Sequence, residues 1–229
     1  MRKSHHDIMA DRKEIIWDVS RLALLFVAFA SGITIISVIL TFKGQCDGNC
    51  IILTDVKWED DSECSDGIAH CFLIPNKPGS CSYIIKTQAA ACAFSCMWFI
   101  FFIVKLVTRQ EYTKFRPVIL LAISSIFYAV LGFISACILH GGLHKLCKGL
   151  LSGPHISEET CAEFQTHAQW QNFGNNNDLY FIKYFHSAQI TSWISCLCWL
   201  ALFITSVIQL KCHGGIKPQR FENETNVVT

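Results

Sequence analysis

Charge is what this sequence has least of. Only 16% of its 229 residues are Asp, Glu, Lys or Arg, against 52% that are hydrophobic. Soluble domains carry roughly 25% charged residues, so a soluble single domain is excluded. The net charge is +1, which leaves no clustered basic face and no expected nucleic-acid partner. Catalytic signatures are missing as well: there is no nucleophile elbow, no phosphate loop and no HExxH. The chain is therefore read as a non-enzyme, with no catalytic residue, cofactor or resident metal expected.

What is present is a set of long apolar runs separated by polar blocks, the mark of a multi-pass membrane protein. The expected spans are residues 22–42, 83–107, 117–140 and 185–210. Each has enough residues to cross a ~30 Å hydrocarbon core as a helix. Polar segments flank them: 1–21, 43–82, 108–116, 141–184 and 211–229. In the first, Asp11 and Glu14 have capping-box spacing and predict a helix start near Arg12. Ala28-Phe29-Ala30 mimics a signal-cleavage site, but apolar residues continue past it, so a retained span is expected. Pro117 opens the third span, where a missing N–H costs nothing.

Inside the runs acids are missing too. No Asp or Glu lies in any of the four, and Lys86, Lys105, His140 and His186 sit near their ends. Proton relays, ion-coupled carriers and voltage sensors need ionisable groups at membrane depth. No pair of Gly/Pro-broken half-helices suggests a transporter site. Small residues do recur four apart, as Ala28/Gly32, Ala89/Ala93, Cys92/Cys96, Ser125/Ala129, Gly132/Ala136 and Ala188/Ser192/Cys196. Such faces predict the close-packed interior of the bundle. Ser187, Thr191 and Ser195 form a polar stripe that predicts interhelical hydrogen bonds rather than a conduit.

Segment 43–82 is dense in cysteine and acid, with Cys46, Cys50, Cys64, Cys71 and Cys81. Segment 141–184 adds Cys147 and Cys161. Cysteines at this density belong to an oxidising compartment, so both segments are expected on the lumenal or extracellular side as disulfide candidates. The pairing is not readable, and an odd number leaves one over, free or joined to Cys137. Zinc is the weaker account, because the spacings do not repeat as paired knuckles do. Lys and Arg concentrate in segments 1–21, 108–116 and 211–229, which independently puts both termini in the cytoplasm. The sequon Asn223-Glu224-Thr225 would then carry no glycan.

Other candidates have plainer readings. His140 and His144 have metal-ligand spacing, with His155 or His167 in reserve, but Gly141 and Gly142 predict that the helix ends between them. Cys196 and Cys198 read as buried small hydrophobes. The acidic run 59–66 lacks EF-hand spacing and reads as a solvated loop. Tyr112-Thr113-Lys114-Phe115 resembles a tyrosine sorting signal set close against the bilayer. Cys212, beside Lys211, is the palmitoylation candidate.

Gly48-Asn49-Cys50-Ile51-Ile52-Leu53-Thr54, followed by Trp58 and then by Cys81 at the second span, resembles the transmembrane protein 179 family. So do Thr160-Cys161-Ala162-Glu163-Phe164, Gln189-Ile190-Thr191-Ser192-Trp193 and Trp199-Leu200-Ala201. The resemblance runs from Leu22 to Lys211. It implies four spans with cytoplasmic ends and brings no biochemical activity with it. It also implies that Cys50, Cys81, Cys147 and Cys161 are the shared cysteines, with Cys46, Cys64 and Cys71 as additions. Tetraspanins, claudins and connexins fit less well. The second outer segment has no Cys-Cys-Gly, Trp58 lacks the claudin Gly-Leu-Trp triplet, and regular cysteine triplets are missing.

The expected fold is thus all-α: a four-helix transmembrane bundle with disulfide-bonded outer loops and both termini cytoplasmic. The expected function is that of an adaptor or accessory subunit in the plasma membrane or a secretory-pathway or vesicle membrane. Its partners would be the lipid bilayer and another integral membrane protein or a second copy of itself. A pore-forming or junction-type channel subunit is the alternative.

Overall fold

The computed structural model describes residues 5–45, 50, 52–53, 56–58, 72–73, 78–108, 116–152, 160–163 and 181–214. Four long helices make up nearly all of it: α1 His5–Gln45, α2 Pro78–Thr108, α3 Arg116–Leu150 and α4 Phe181–Gly214. All four are long and apolar enough to cross a membrane. The all-α expectation holds. A two-residue antiparallel ladder, β1 (Lys57–Trp58) with β2 (Phe72–Leu73), is the one β feature among the described residues, pairing Lys57 with Leu73 and Trp58 with Phe72.

Two helix ends differ from expectation. α1 begins at His5 rather than near Arg12, because the residues before Asp11 continue the helix and leave that position interior. α3 does not stop at Gly141-Gly142 but runs on to Leu150. At 1.5 Å per residue α3 is ~52 Å long, against ~30 Å of hydrocarbon. It is thus about 20 Å longer than the hydrocarbon core is thick. Two glycines cost about 1 kcal/mol each in a helix, and the packing described below outweighs that.

Each helix is apolar outside as well as inside: Phe26, Ile100, Ile123 and Leu197 are all exposed, as lipid-facing residues should be. The interior is marked by a different regularity. On α1 the buried positions, apart from Ser31 beside Gly32, include Asp18, Arg21, Leu25, Ala28, Gly32, Ile35, Ile39 and Phe42. They alternate by three and four residues, the a/d seam of a left-handed coiled bundle. The same alternation holds on α2 (Cys81, Ile84, Gln88, Ala91, Ser95, Trp98, Phe102) and on α4 (Phe185, Ala188, Ser192, Ser195, Trp199, Leu202, Ser206, Gln209). On α3 it runs through Ala122, Ser125, Ala129, Gly132, Ala136 and Leu139.

Helix α1 packs extensively against both α2 and α4, and α4 against α3, whereas α2 and α3 touch only slightly. Small residues allow these approaches. A Cβ on Gly32 would collide with Cys92 Sγ of α2, and Cys196 Sγ lies 3.4 Å from the Ala129 carbonyl of α3. Ala28, Ser125, Ala129, Ala136, Ala188, Ser192 and Cys196 are all interior as expected, but Ala89, Ala93 and Cys96 face outward. Across the loose side, Phe94 of α2 lies 5.2 Å from Tyr128 of α3, which lies 5.0 Å from the buried Trp199 of α4. That aromatic group closes the bundle where the helices do not.

Candidate functional site

At one end of the bundle the described residues Ile52, Leu53 and Val56, between α1 and α2, lie against the last turns of α3. Ile52 is fully buried, and its Cγ2 stands 2.8 Å from where a Cβ on Gly142 would be. Two turns on, Val56 Cγ2 stands 2.9 Å from the corresponding point on Gly149. The two glycines are seven apart and share a helix face, so together they form a trough that takes the segment side on. Leu53 adopts a left-handed backbone, with φ of 64°, a conformation disfavoured for a branched residue. That turn brings the chain from Cys50 into the trough.

Two disulfides clamp this cap. Cys50 is joined to Cys81 in the first turns of α2, with 5.9 Å between their Cα atoms. The Cys81 amide also donates to Cys50 Sγ at 3.2 Å. Cys147 near the end of α3 is joined to Cys161, 5.4 Å away at Cα. Cys161 sits in a short helical turn closed by a reciprocal capping box. The Thr160 amide donates to Glu163 Oε2 and the Glu163 amide to Thr160 Oγ1, at 3.1 and 3.2 Å. Cys46, Cys64 and Cys71 lie outside the described residues, as do the run 59–66, the 112–115 motif and the sequon at 223.

Four of the seven cysteine candidates thus pair with each other, and Cys137 is free and exposed. His140 and His144 do share the continuous α3. His140 Nδ1 lies 2.8 Å from Gln189 Nε2 of α4, so its ring accepts a bond from an amide. His155 and His167 are outside the described residues, and no group of three metal-ligating side chains occurs among those described. Cys196 and Cys198 are both buried, and Cys212 is exposed. In the polar stripe, Thr191 donates to the Ser187 carbonyl of its own helix at 2.6 Å, not to a neighbouring helix. A hydroxyl in a membrane helix finds the carbonyl four residues back at the smallest entropy cost.

The opposite end, the base, holds a constellation that the reading of the sequence missed. Lys105 Nζ of α2 lies 2.7 Å from Asp18 Oδ2 of α1. Asp18 Oδ1 lies 3.7 Å from Arg21 Nη1, and the Arg21 guanidinium lies 5.7 Å from the centre of the Phe102 ring. Arg21 is completely buried, and no nitrogen of its guanidinium has a hydrogen-bond partner in the chain, nor does Asp18 Oδ1. Asp18 and Arg21 belong to the apolar helical stretch Ile15–Gly44. The expectation of a span without acids concerns residues 22–42, the uncharged run that starts just after this pair. That expectation began the span at Leu22, the first residue after which charge ceases. The signal available was the spacing: Asp18 and Arg21 are three apart, while Ile15, Ile16 and Val19 around them are apolar and exposed.

A family model described as "Transmembrane protein 179/179B Claudin domain" matches residues 17–227. Transmembrane protein 179B of Homo sapiens is 25% identical over 195 residues, covering 84% of this chain and 83% of that protein. The match is to the transmembrane protein 179/179B family, as the resemblance implied, and its description also carries the word claudin. The Gly-Leu-Trp triplet is missing here, yet the match spans nearly the whole chain, so the triplet is not what the match depends on.

Proposed function

Because this chain belongs to the transmembrane protein 179/179B claudin-domain family, whose members are multi-pass membrane proteins, we propose that it acts without catalysis, as an adaptor or accessory subunit. The observation that carries this reading is the clamped cap. A platform held by two disulfides and a glycine trough presents fixed side chains outside the bilayer. Such preorganisation lowers the entropy lost on binding a partner. The exposed side of the last turns of α3, with His144 and Lys148 one turn apart, is the part of that platform best placed to be contacted. The bundle interior is filled by side chains such as Leu25, Leu121 and Trp199, which favours the adaptor reading over the channel one.

In this proposal the cap is lumenal or extracellular and both termini are cytoplasmic. The distribution of Lys and Arg and the compartment that disulfides require support that orientation. The test is purification of the tagged protein from native tissue in mild detergent, read by native mass and by peptide mass spectrometry. A second membrane protein at constant stoichiometry, lost on Lys148→Glu while the bundle stays folded, is the expected result. A pure homo-oligomer that conducts ions in planar bilayers overturns the proposal in favour of a channel.

A further inference from the structure

We propose that the base of the bundle binds the phosphate of an anionic glycerophospholipid, held between Arg21 and Lys105.

The argument starts from charge. Arg21 and Lys105 each carry +1 and Asp18 carries −1, so among the described residues the cluster holds one uncompensated positive charge. Arg21 and Asp18 are the buried members, with side chains 0% and 7% exposed, while Lys105 is 16% exposed. An uncompensated charge taken out of water is among the most costly things a fold can contain. The cost falls only if a counter-charge occupies the site. One negative charge balances it.

Hydrogen bonding narrows the ligand. The guanidinium offers five N–H donors in a planar fork that suits carboxylate and phosphate oxygens, and none of its nitrogens is used within the chain. Asp18 is turned mainly to Lys105, at 2.7 Å against 3.7 Å for Arg21, and Phe102 fixes the plane of the fork from one side. The arrangement is a positioned donor array with its acceptor missing.

Depth selects the source. The cluster lies within one turn of Ile15 on α1 and of Val107 on α2, both apolar and exposed, where the apolar stretches Ile15–Gly44 and Gly79–Thr108 end. That is the level of lipid phosphates, within reach of a lysine that can extend to the headgroup layer. Lys105 is the member that opens: swinging its ammonium from Asp18 onto a lipid phosphate exposes the guanidinium behind it. A phosphodiester bears a single negative charge. In phosphatidylglycerol that charge is uncompensated, whereas in phosphatidylcholine a choline cation accompanies it. The inference does not depend on the adaptor reading or on which leaflet faces the cytoplasm.

The experiment uses the purified full-length protein, delipidated in a neutral detergent. Thermal unfolding and native mass are followed as phosphatidylglycerol, phosphatidylcholine or inorganic phosphate is added. Phosphatidylglycerol should raise the midpoint saturably and remain bound at one lipid per chain, while phosphatidylcholine should do neither. Lys105→Gln and Arg21→Gln should each weaken phosphatidylglycerol binding at least tenfold, and Lys86→Gln at the cap end should leave it unchanged. Should the Arg21 variant fail to fold, the Lys105 variant decides alone. Equal protection by millimolar inorganic phosphate would keep the phosphate site but overturn the lipid as its ligand. Equal effects of the two lipids, or unchanged binding by the Lys105 variant, would overturn the proposal.

Discussion

Ile52 occupies the place where residue 142 would otherwise carry a side chain. Its Cγ2 lies 2.8 Å from the position of a Cβ on Gly142, and the Leu53 amide nitrogen lies 3.3 Å from the same point. Backbone and side chain therefore both oppose any larger residue there, so the neighbour cannot simply rotate away. Gly142→Val should destabilise the protein by ~1–3 kcal/mol through overpacking, and Ile52→Ala by ~2–5 kcal/mol through the cavity it leaves. Thermal unfolding in detergent, with limited proteolysis of the segment between α1 and α2, reads both. Unchanged proteolysis in Gly142→Val would mean that the segment does not sit in the trough.

The clamps make a covalent prediction. Peptide mapping without reduction should recover Cys50 linked to Cys81 and Cys147 linked to Cys161. The double change Cys50→Ser/Cys81→Ser should cost ~2–4 kcal/mol and release the segment between α1 and α2 to protease, leaving the helical content in circular dichroism unchanged. Recovery of Cys50 joined to a different cysteine would refute the pairing.

At the base, Asp18→Ala leaves two cations without their carboxylate. Breaking a buried pair in this way should cost ~3–5 kcal/mol. Asp18→Ala combined with Lys105→Met should be less damaging than the two single costs added together, because the pair is removed as a unit. Strict additivity across that double-mutant cycle would show that the contact contributes nothing to folding.

Topology and lipidation have direct readouts. The native sequon at Asn223 should remain unglycosylated, while one introduced into segment 43–82 should gain a glycan-sized mass sensitive to endoglycosidase. Glycan on Asn223 would invert the orientation. Cys212, exposed at the end of α4, is the palmitoylation candidate, with an unmodified juxtamembrane thiol as the plainer reading. An acyl-exchange signal in the wild type that is lost in Cys212→Ser would identify it as a modified site.

The sequence by itself determined the class of this protein. Long uncharged runs leave backbone groups no partner in lipid except their own helix, so the helices and their number follow from composition and length. The cysteine-rich segments between them announced disulfides for the same local reason. Which cysteines pair was another matter, since pairing depends on how close the ends of two helices come. The seam was also hidden. In water a heptad shows as apolar against polar, but in lipid Phe26 outside and Leu25 inside are equally apolar, and the contrast vanishes. Only packing revealed that Asp18, Arg21 and Gln88 lie on the inner stripe. The persistence of α3 through Gly141-Gly142 was likewise a tertiary decision. Local propensity argued for an end there, and burial of Ile52 and Val56 on the glycine face outweighed it. What a residue is could be read along the chain; what it faces required the other helices.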